Sequence, residues 1–347
     1  MPKQKTSPIT VVNVEDDAEL PADFRFITEM VLGDGVQPAE DSFRSGCSCR
    51  DFDDCQYAGC HCLGEIEEED DADVEGTDGD EGKATSNSAD RMDTDDDNAA
   101  QTQGPPSSVS SRRKCYSYYT HGVQAGRLRS RMLDSNAPLY ECHAGCSCPQ
   151  SCPNRVVERG RTIPLEIFRT PDRGWGKFIR RGITISFEIE TNTSKGVRSR
   201  RNIKQGQFVD QYLGEIITSE EADRRRTTSK RKDVYLFALD KFTDANSFDP
   251  RLRGPPLEVD GEFMSGPTRF INHSCDPNLR PFARLGDHAD KHIHDLALFA
   301  VRDIPAGEEL TFDYVNGAVE DDEESHKNQA NLIPCLCGSP RCRGYLW

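Results

Sequence analysis

The sequence predicts a mostly β protein of small curved sheets, with a cysteine-rich, metal-bound module on either side of the β body. Three observations point there. Short runs rich in β-branched and aromatic residues recur through the second half of the chain, with turn residues between them. Nine cysteines crowd into Cys47-x-Cys49-x5-Cys55-x4-Cys60-x-Cys62 and Cys142-x3-Cys146-x-Cys148-x3-Cys152. The chain then closes on Cys335-x-Cys337-x4-Cys342, followed by Gly344-Tyr345-Leu346-Trp347.

A length of 347 residues allows one to three domains and a sizeable core. Behind Met1-Pro2-Lys3 there is no apolar run of a signal peptide, and no hydrophobic segment is long enough to cross a bilayer. The expectation is a soluble, intracellular protein, where clustered thiols hold metal more often than they form disulfides.

Residues 1–22 are polar and patternless and are expected to form a flexible arm. A first module follows over residues 23–160. Its cysteines are too dense for an apolar core to fit between them, so metal must do the folding. Nine thiols divide awkwardly into separate four-ligand sites, but three tetrahedral zinc ions can share them when six bind one ion each and three bridge two. Cys115 falls outside this pattern and reads as a plain thiol. The sequence between Gly64 and Ser111 cannot bury enough apolar surface to offset its ordering entropy, and it reads as a disordered spacer looped out between the two halves of one metal core. That spacer carries most of the net charge of −17, because Glu65 to Asp97 holds 16 acids against Lys83 and Arg91. The remaining body is only mildly acidic. Such a balance does not suggest a basic surface that tracks DNA, and it suits a cationic partner, although solubility alone would also account for it. Tyr116 to Leu133 has helix-compatible stretches that end before Pro138.

The body is expected over residues 161–318, with strands in Thr162–Arg169, Gln207–Ile217, Asp233–Asp240, His292–Arg302 and Glu308–Tyr314. One helix is well marked. Thr218-Ser219-Glu220-Glu221 has capping-box spacing and leads into Ala222-Asp223-Arg224-Arg225-Arg226, whose basic triplet reads as a solvated helix face. The densest chemistry lies in Arg269-Phe270-Ile271-Asn272-His273-Ser274-Cys275-Asp276-Pro277-Asn278, where Asp-Pro-Asn favours a tight turn. By itself this stretch could equally be a hydrogen-bonded loop with a buried cysteine. The last module, residues 319–347, has three cysteines and is one ligand short of a zinc site; Cys275 is the obvious fourth. That pairing would close the tail over the central loop.

Together these pieces resemble the SET-domain protein lysine methyltransferases of the suppressor-of-variegation class, with their pre-SET and post-SET zinc modules, and most nearly the filamentous-fungal enzymes that methylate lysine 9 of histone H3. The resemblance runs from Cys47 to Trp347, apart from the spacer and one insertion, and no chromodomain-like segment precedes the first cysteines. It implies a SET fold in which the central loop and Glu309-Leu310-Thr311-Phe312-Asp313-Tyr314 cross in a knot-like arrangement. S-adenosylmethionine would contact Trp175 of Gly174-Trp175-Gly176, Tyr235, Arg269, Asn272, His273 and Trp347. The histone H3 tail would add as a strand from the opposite face, with Phe237 lining a lysine channel and Asp240 the peptide groove. Tyr212 and Tyr314 would orient the lysine amine, and Phe312 would leave room for di- and trimethylation where a tyrosine would restrict it. Without that context two tyrosines in strands would read as ordinary core residues. The resemblance also implies a nuclear, chromatin-bound protein working in heterochromatin formation and gene silencing. Chromatin-associated partners are implied too, with neither sequence-specific DNA binding nor a membrane. Nothing in the sequence bears on oligomeric state.

One departure stands out. Relatives run almost directly from the Gly-Trp-Gly turn into the next strand, whereas Lys177 to Gly196 adds 20 residues here. The alternating run Ile183 to Glu190 suits an extra hairpin. A retained intron is the alternative, since Gly176-Lys177-Phe178 can be encoded with a splice donor and Thr191-Asn192-Thr193 with a branch sequence. Two other functions also fit: a catalytically silent chromatin scaffold, against which Tyr212, Asn272, His273 and Tyr314 argue, and methylation of a non-histone lysine.

Overall fold

The computed structural model describes residues 7–14, 19–51, 55, 60–64, 116–169, 195–228, 235–315 and 334–346. The strands are short, as the turn-punctuated sequence predicts. Ahead of the body come β1 (Ile9–Val12), β2 (Arg25–Phe26), β3 (Val31–Leu32) and β4 (Leu139–Tyr140). The body adds β5 (Leu165–Arg169), β6 (Lys195–Arg198), β7 (Phe208–Tyr212), β8 (Glu215–Ile217), β9 (Leu236–Ala238) and β10 (Glu258–Asp260). It is completed by β11 (Met264–Ser265), β12 (Asn272–His273), β13 (Leu279–Leu285), β14 (Asp295–Ala300) and β15 (Glu309–Phe312). The largest sheet runs β1-β5-β6-β15-β13-β14-β7, with β12 also on β15 and β4 also on β13. A second sheet runs β3-β8-β10-β9, and β11 pairs with β2. Among the described residues no helix is long and apolar enough to cross a membrane.

Several elements depart from expectation. Ile9–Val12 lies within the expected flexible arm, yet it forms β1 in parallel with β5, from Ile9↔Leu165 to Val12↔Phe168. A four-residue Ile-Thr-Val-Val run is too short to show a period, but it is β-branched and finds the open edge of β5. Leu20 and Phe24, at the arm's end and just beyond it, pack on the main core around Ile167, Phe270, Ile271 and Leu310. The stretch expected to be helix-compatible yields only a 3-10 turn at Gly122–Gln124 and one α-helical turn, α1 (Ser130–Leu133). Lys195 and Gly196, assigned to the insertion, are the first residues of β6 and pair with Arg169 and Phe168. The rest of that insertion and all of the spacer but Gly64 lie outside the described residues.

The marked helix is α2 (Ser219–Thr228), and Thr218 Oγ1 accepts from Glu221 N at 3.3 Å, as a capping residue should. Its basic triplet is only partly solvated. Arg225 bonds Asp260 at 2.7 Å and Glu215 at 2.8 Å, and Arg226 reaches Glu258, so the helix is clamped across β8 and β10. Glu215 sits on the strand just before the helix, whereas Glu258 and Asp260 lie 32 and 35 residues beyond their arginines, which the helix sequence could not reveal.

The first module is joined to the body through a shared sheet. β4 runs parallel to β13, and just beyond it Glu141 is fully buried. Its carboxylate accepts from Tyr118 Oη at 2.6 Å, from the backbone N–H of Val156, Val157 and Glu158, and from Arg284 Nε of β13 at 3.1 Å. A charge so far from water is tolerable only when paired and hydrogen-bonded on several sides. This network fixes the cysteine module against the strand that follows the central loop.

Candidate active site

The nine thiols converge. Three four-sulfur groups have all sulfurs within 4.8 Å of one another: Cys47, Cys49, Cys55 and Cys60; Cys47, Cys55, Cys142 and Cys148; and Cys47, Cys60, Cys62 and Cys142. The groups overlap, with Cys47, Cys55, Cys60 and Cys142 in more than one, as shared thiolates require. A tetrahedral zinc with bonds of about 2.3 Å sets its sulfurs roughly 3.8 Å apart. Cys47 and Cys55 are 3.9 Å apart, as are Cys55 and Cys142, which bridge the two cysteine segments. Cys146 lies 3.3 Å from Cys62, and Cys152 is buried in the same cluster. Burial pushes the Cys49 and Cys148 thiols up to about 12, so ionising such a set needs cations among the sulfurs. The donor set therefore fits zinc.

Glycine makes the approach possible. A Cβ on Gly46 would lie 2.2 Å from the carbonyl oxygen of Gly145, where the two segments pass each other. Two further residues were not anticipated. Arg155, 1% exposed, donates from Nη2 to Cys148 Sγ at 3.3 Å, and Asn154 Nδ2 donates to Cys142 Sγ at 3.6 Å. Their only sequence signal is their place directly after Cys152-Pro153.

At the other end Cys275, Cys335, Cys337 and Cys342 form one compact group, with Cys275 and Cys335 Sγ 3.7 Å apart. The tail thus sits on the central loop. That loop in turn lies along β15: β12 pairs in parallel with it, Asn272↔Thr311 and His273↔Phe312, and Ser274 N donates to Phe312 O at 3.1 Å. Asn278 reinforces the contact, accepting from Thr311 N and donating to Glu309 O, both at 2.8 Å.

Beside this junction lies a tight aromatic pocket, the candidate channel, lined by Tyr212, Tyr235, Phe237, Thr268, Arg269, Ile271, Phe312 and Tyr314. The rings touch in series: Tyr212 to Phe237 at 4.5 Å, Phe237 to Phe312 at 5.7 Å and Phe312 to Tyr314 at 4.9 Å between centroids. Tyr212 Oη donates to Tyr235 O at 3.1 Å, and Tyr314 Oη to Ile271 O at 2.7 Å. Since a carbonyl can only accept, each hydroxyl proton is committed and each oxygen keeps lone pairs for a further donor. Burial raises both phenols well above their ordinary range, so both stay neutral. Gly261 belongs to no motif, yet a Cβ there would lie 2.5 Å from Tyr212 Oη.

The expected cofactor residues have mixed placements. Arg269 is buried, donates from Nε to Gly261 O and Glu262 O at 3.1 and 3.0 Å, and lies over the Tyr235 ring at 4.3 Å. Asn272 donates to Lys195 O and Glu309 Oε1 at 2.9 and 2.7 Å, which leaves its own carbonyl oxygen as an acceptor. His273 accepts at Nδ1 from Tyr314 N at 3.2 Å, so the proton resides on Nε2, facing Cys275 Sγ at 3.3 Å. Its ring therefore joins the strand's end to Cys275, the loop thiol on which the tail's cysteines gather. Tyr235, Arg269, Asn272 and His273 lie around one junction, and Trp175 and Trp347 lie outside the described residues. Asp240 is exposed just past the end of β9, away from the channel that Phe237 lines.

Residues 194–315 match the SET domain family, and residues 2–155 match the Pre-SET motif. The chain is 58% identical to the histone-lysine N-methyltransferase, H3 lysine-9 specific KMT1, of Fusarium mangiferae, over 100% of this chain and 90% of that one. Its structure resembles that of the Neurospora SET domain protein DIM-5, a histone lysine methyltransferase, with a TM-score of 0.69 at 52% identity over 91% of this chain and 98% of that one. It also resembles Arabidopsis thaliana SUVH6 in complex with SAM, with a TM-score of 0.59 at 26% identity over 99% of this chain and 54% of that one. Such identity along the whole chain, added to matches over both its cysteine-rich and its β modules, means that this chain belongs to the SET-domain histone-lysine N-methyltransferases.

Proposed function

We propose that this protein transfers methyl groups from S-adenosylmethionine to lysine 9 of histone H3, reaching the di- and trimethylated states, on chromatin in the nucleus and in the service of heterochromatin formation and silencing. The observation that carries this reading is the aromatic channel, in which two hydroxyl oxygens with committed protons face a wall containing Phe312. The fungal relative's lysine-9 specificity supports the choice of substrate.

When bound, S-adenosylmethionine supplies an electrophilic methyl group. Tyr235, Arg269, Asn272, His273, Trp175 and Trp347 are the residues proposed to hold it. The chain's own part is to deliver a neutral amine in the right direction. A free lysine has a pKa of roughly 10.4, and an apolar aromatic channel disfavours its ammonium form. The oxygens of Tyr212 and Tyr314 accept from the amine N–H groups, which turns the nitrogen lone pair along the channel. Burial keeps both phenols protonated, which suits them to orienting the amine. Among the described residues β9 pairs only with β10, which leaves an edge where the H3 tail can add as a strand, with Asp240 beside it. Zinc completes the assembly, three ions in the nine-thiol cluster and one in the tail. Chromatin-associated proteins are the expected recruiting partners.

Phe312 supplies the test. Mass spectrometry of an H3 peptide under excess cofactor should find di- and trimethyl product from the native enzyme and mainly monomethyl product from Phe312→Tyr. Native product stalled at monomethyl would refute the assignment of Phe312.

A further inference from the structure

We infer that Arg343 is a positioning residue, which transmits closure of the C-terminal tail to the channel tyrosine Tyr314. Its backbone N–H donates to Cys275 Sγ at 3.4 Å, and its guanidinium forks onto Asp313, Nη1 to Oδ2 at 2.6 Å and Nη2 to Oδ1 at 2.8 Å. One residue thus touches the thiol group from its backbone and β15's extension from its side chain. Asp313 stands between Phe312 and Tyr314, its Oδ1 also accepts from Val315 N at 3.0 Å, and it lies 3.6 Å from the Nδ1 of His273 that accepts from Tyr314 N. The fork therefore holds the segment that places the Tyr314 hydroxyl at Ile271 O.

Energy alone does not explain this pair. Its side chains remain 24% and 17% exposed, and partly solvated ion pairs contribute little stability. A bidentate guanidinium–carboxylate contact does fix distance and angle together, which a point charge cannot. The neighbouring pair, Arg341 with Asp276, is far more exposed and is bonded through a single guanidinium nitrogen, so it supplies an internal control.

The inference rests on the role assigned to Tyr314, and the test keeps the two apart. In the zinc-loaded full chain, Arg343→Met should keep its zinc content, lower kcat about tenfold and raise the KM for S-adenosylmethionine less than threefold, a split expected when a transition-state contact is misplaced. Arg343→Lys should recover only part of the rate, and Arg341→Met should stay within about twofold of native. Asp313→Asn should match Arg343→Met, and the double variant should be no worse than either single one. Loss of zinc from Arg343→Met would reduce the residue to a structural support of the tail, and multiplicative losses in the double variant would sever the link to Asp313; either overturns the inference. A fully active Tyr314→Phe would instead remove the reading on which the inference stands.

Discussion

The two thiol regions use the same chemistry for opposite purposes. In the first, all nine cysteines are buried, two of them completely, and the module shares a sheet and the Glu141 network with the body. In the second, Cys275, Cys335 and Cys342 stay partly exposed, and among the described residues the contacts between tail and body include the central-loop thiol Cys275 and the Arg343–Asp313 pair. The first stands in for a hydrophobic core. The second fastens the tail beside the junction of β12 and β15, and the proposed role of that contact is to act as a latch.

The largest expected effect separates them directly. Cys142→Ser removes a buried thiol common to two sulfur groups and should prevent the first module from folding, read as a loss of soluble protein or a melting point lower by more than about 10 °C. Cys342→Ser should leave the melting point within a few degrees while methyl transfer falls at least about a hundredfold; equal melting losses in the two variants would erase the distinction. Next comes chelation. A strong zinc chelator should take the tail's ion before the cluster's, so activity should disappear while most of the zinc and the far-ultraviolet circular dichroism remain. Simultaneous loss of all zinc would contradict the latch.

Glu141→Ala tests whether the first module is truly part of the body. Arg284 keeps Glu158 and Asp295, but Tyr118 Oη and the N–H groups of Val156, Val157 and Glu158 lose their buried acceptor, which should cost about 3 kcal/mol in urea unfolding. A cost under about 1 kcal/mol would mean that the module merely rests on the sheet. The smallest effect belongs to the body itself, the baseline for both modules. Burial opposes the charge of Glu166, but Arg198 and Arg200 outweigh it and hold the carboxyl below its ordinary range. A carboxyl depressed in the folded state contributes stability above its unfolded value near 4.5, and that contribution is lost as pH falls through the folded value. Native enzyme should therefore lose slightly more stability than Glu166→Gln on acidification below about pH 4.5, in a titration of urea midpoints.

Much of the site was legible because its residues are close in sequence or carry a ligand signature. Cysteine spacing implied a shared cluster, the missing fourth tail ligand pointed to Cys275, and Arg269 to Asn278 stood out by density of function. The strands around the channel, from Phe208–Tyr212 to Glu309–Phe312, followed from β-branched and aromatic runs. The misses share a cause. β1 was hidden in the polar arm because its partner edge lies more than 150 residues away. The basic triplet of α2 looked solvated because Glu215, Glu258 and Asp260 come from other strands. Arg155, Gly261 and Arg343 bear no motif of their own and matter through what passes beside them.

By itself the sequence determined the β class of the body, the composition of both thiol modules and the residue types at the channel, since periodicity, ligand chemistry and short motifs are local properties. Tertiary structure alone decided that Tyr212 and Tyr314 have their protons committed to backbone carbonyls, that His273 bonds both Tyr314 N and the loop thiol Cys275, and that Arg343 reaches Asp313. Those facts depend on distances between segments far apart along the chain, and such distances are set only when the pairing of β12 with β15 and the gathering of the thiols bring the segments together.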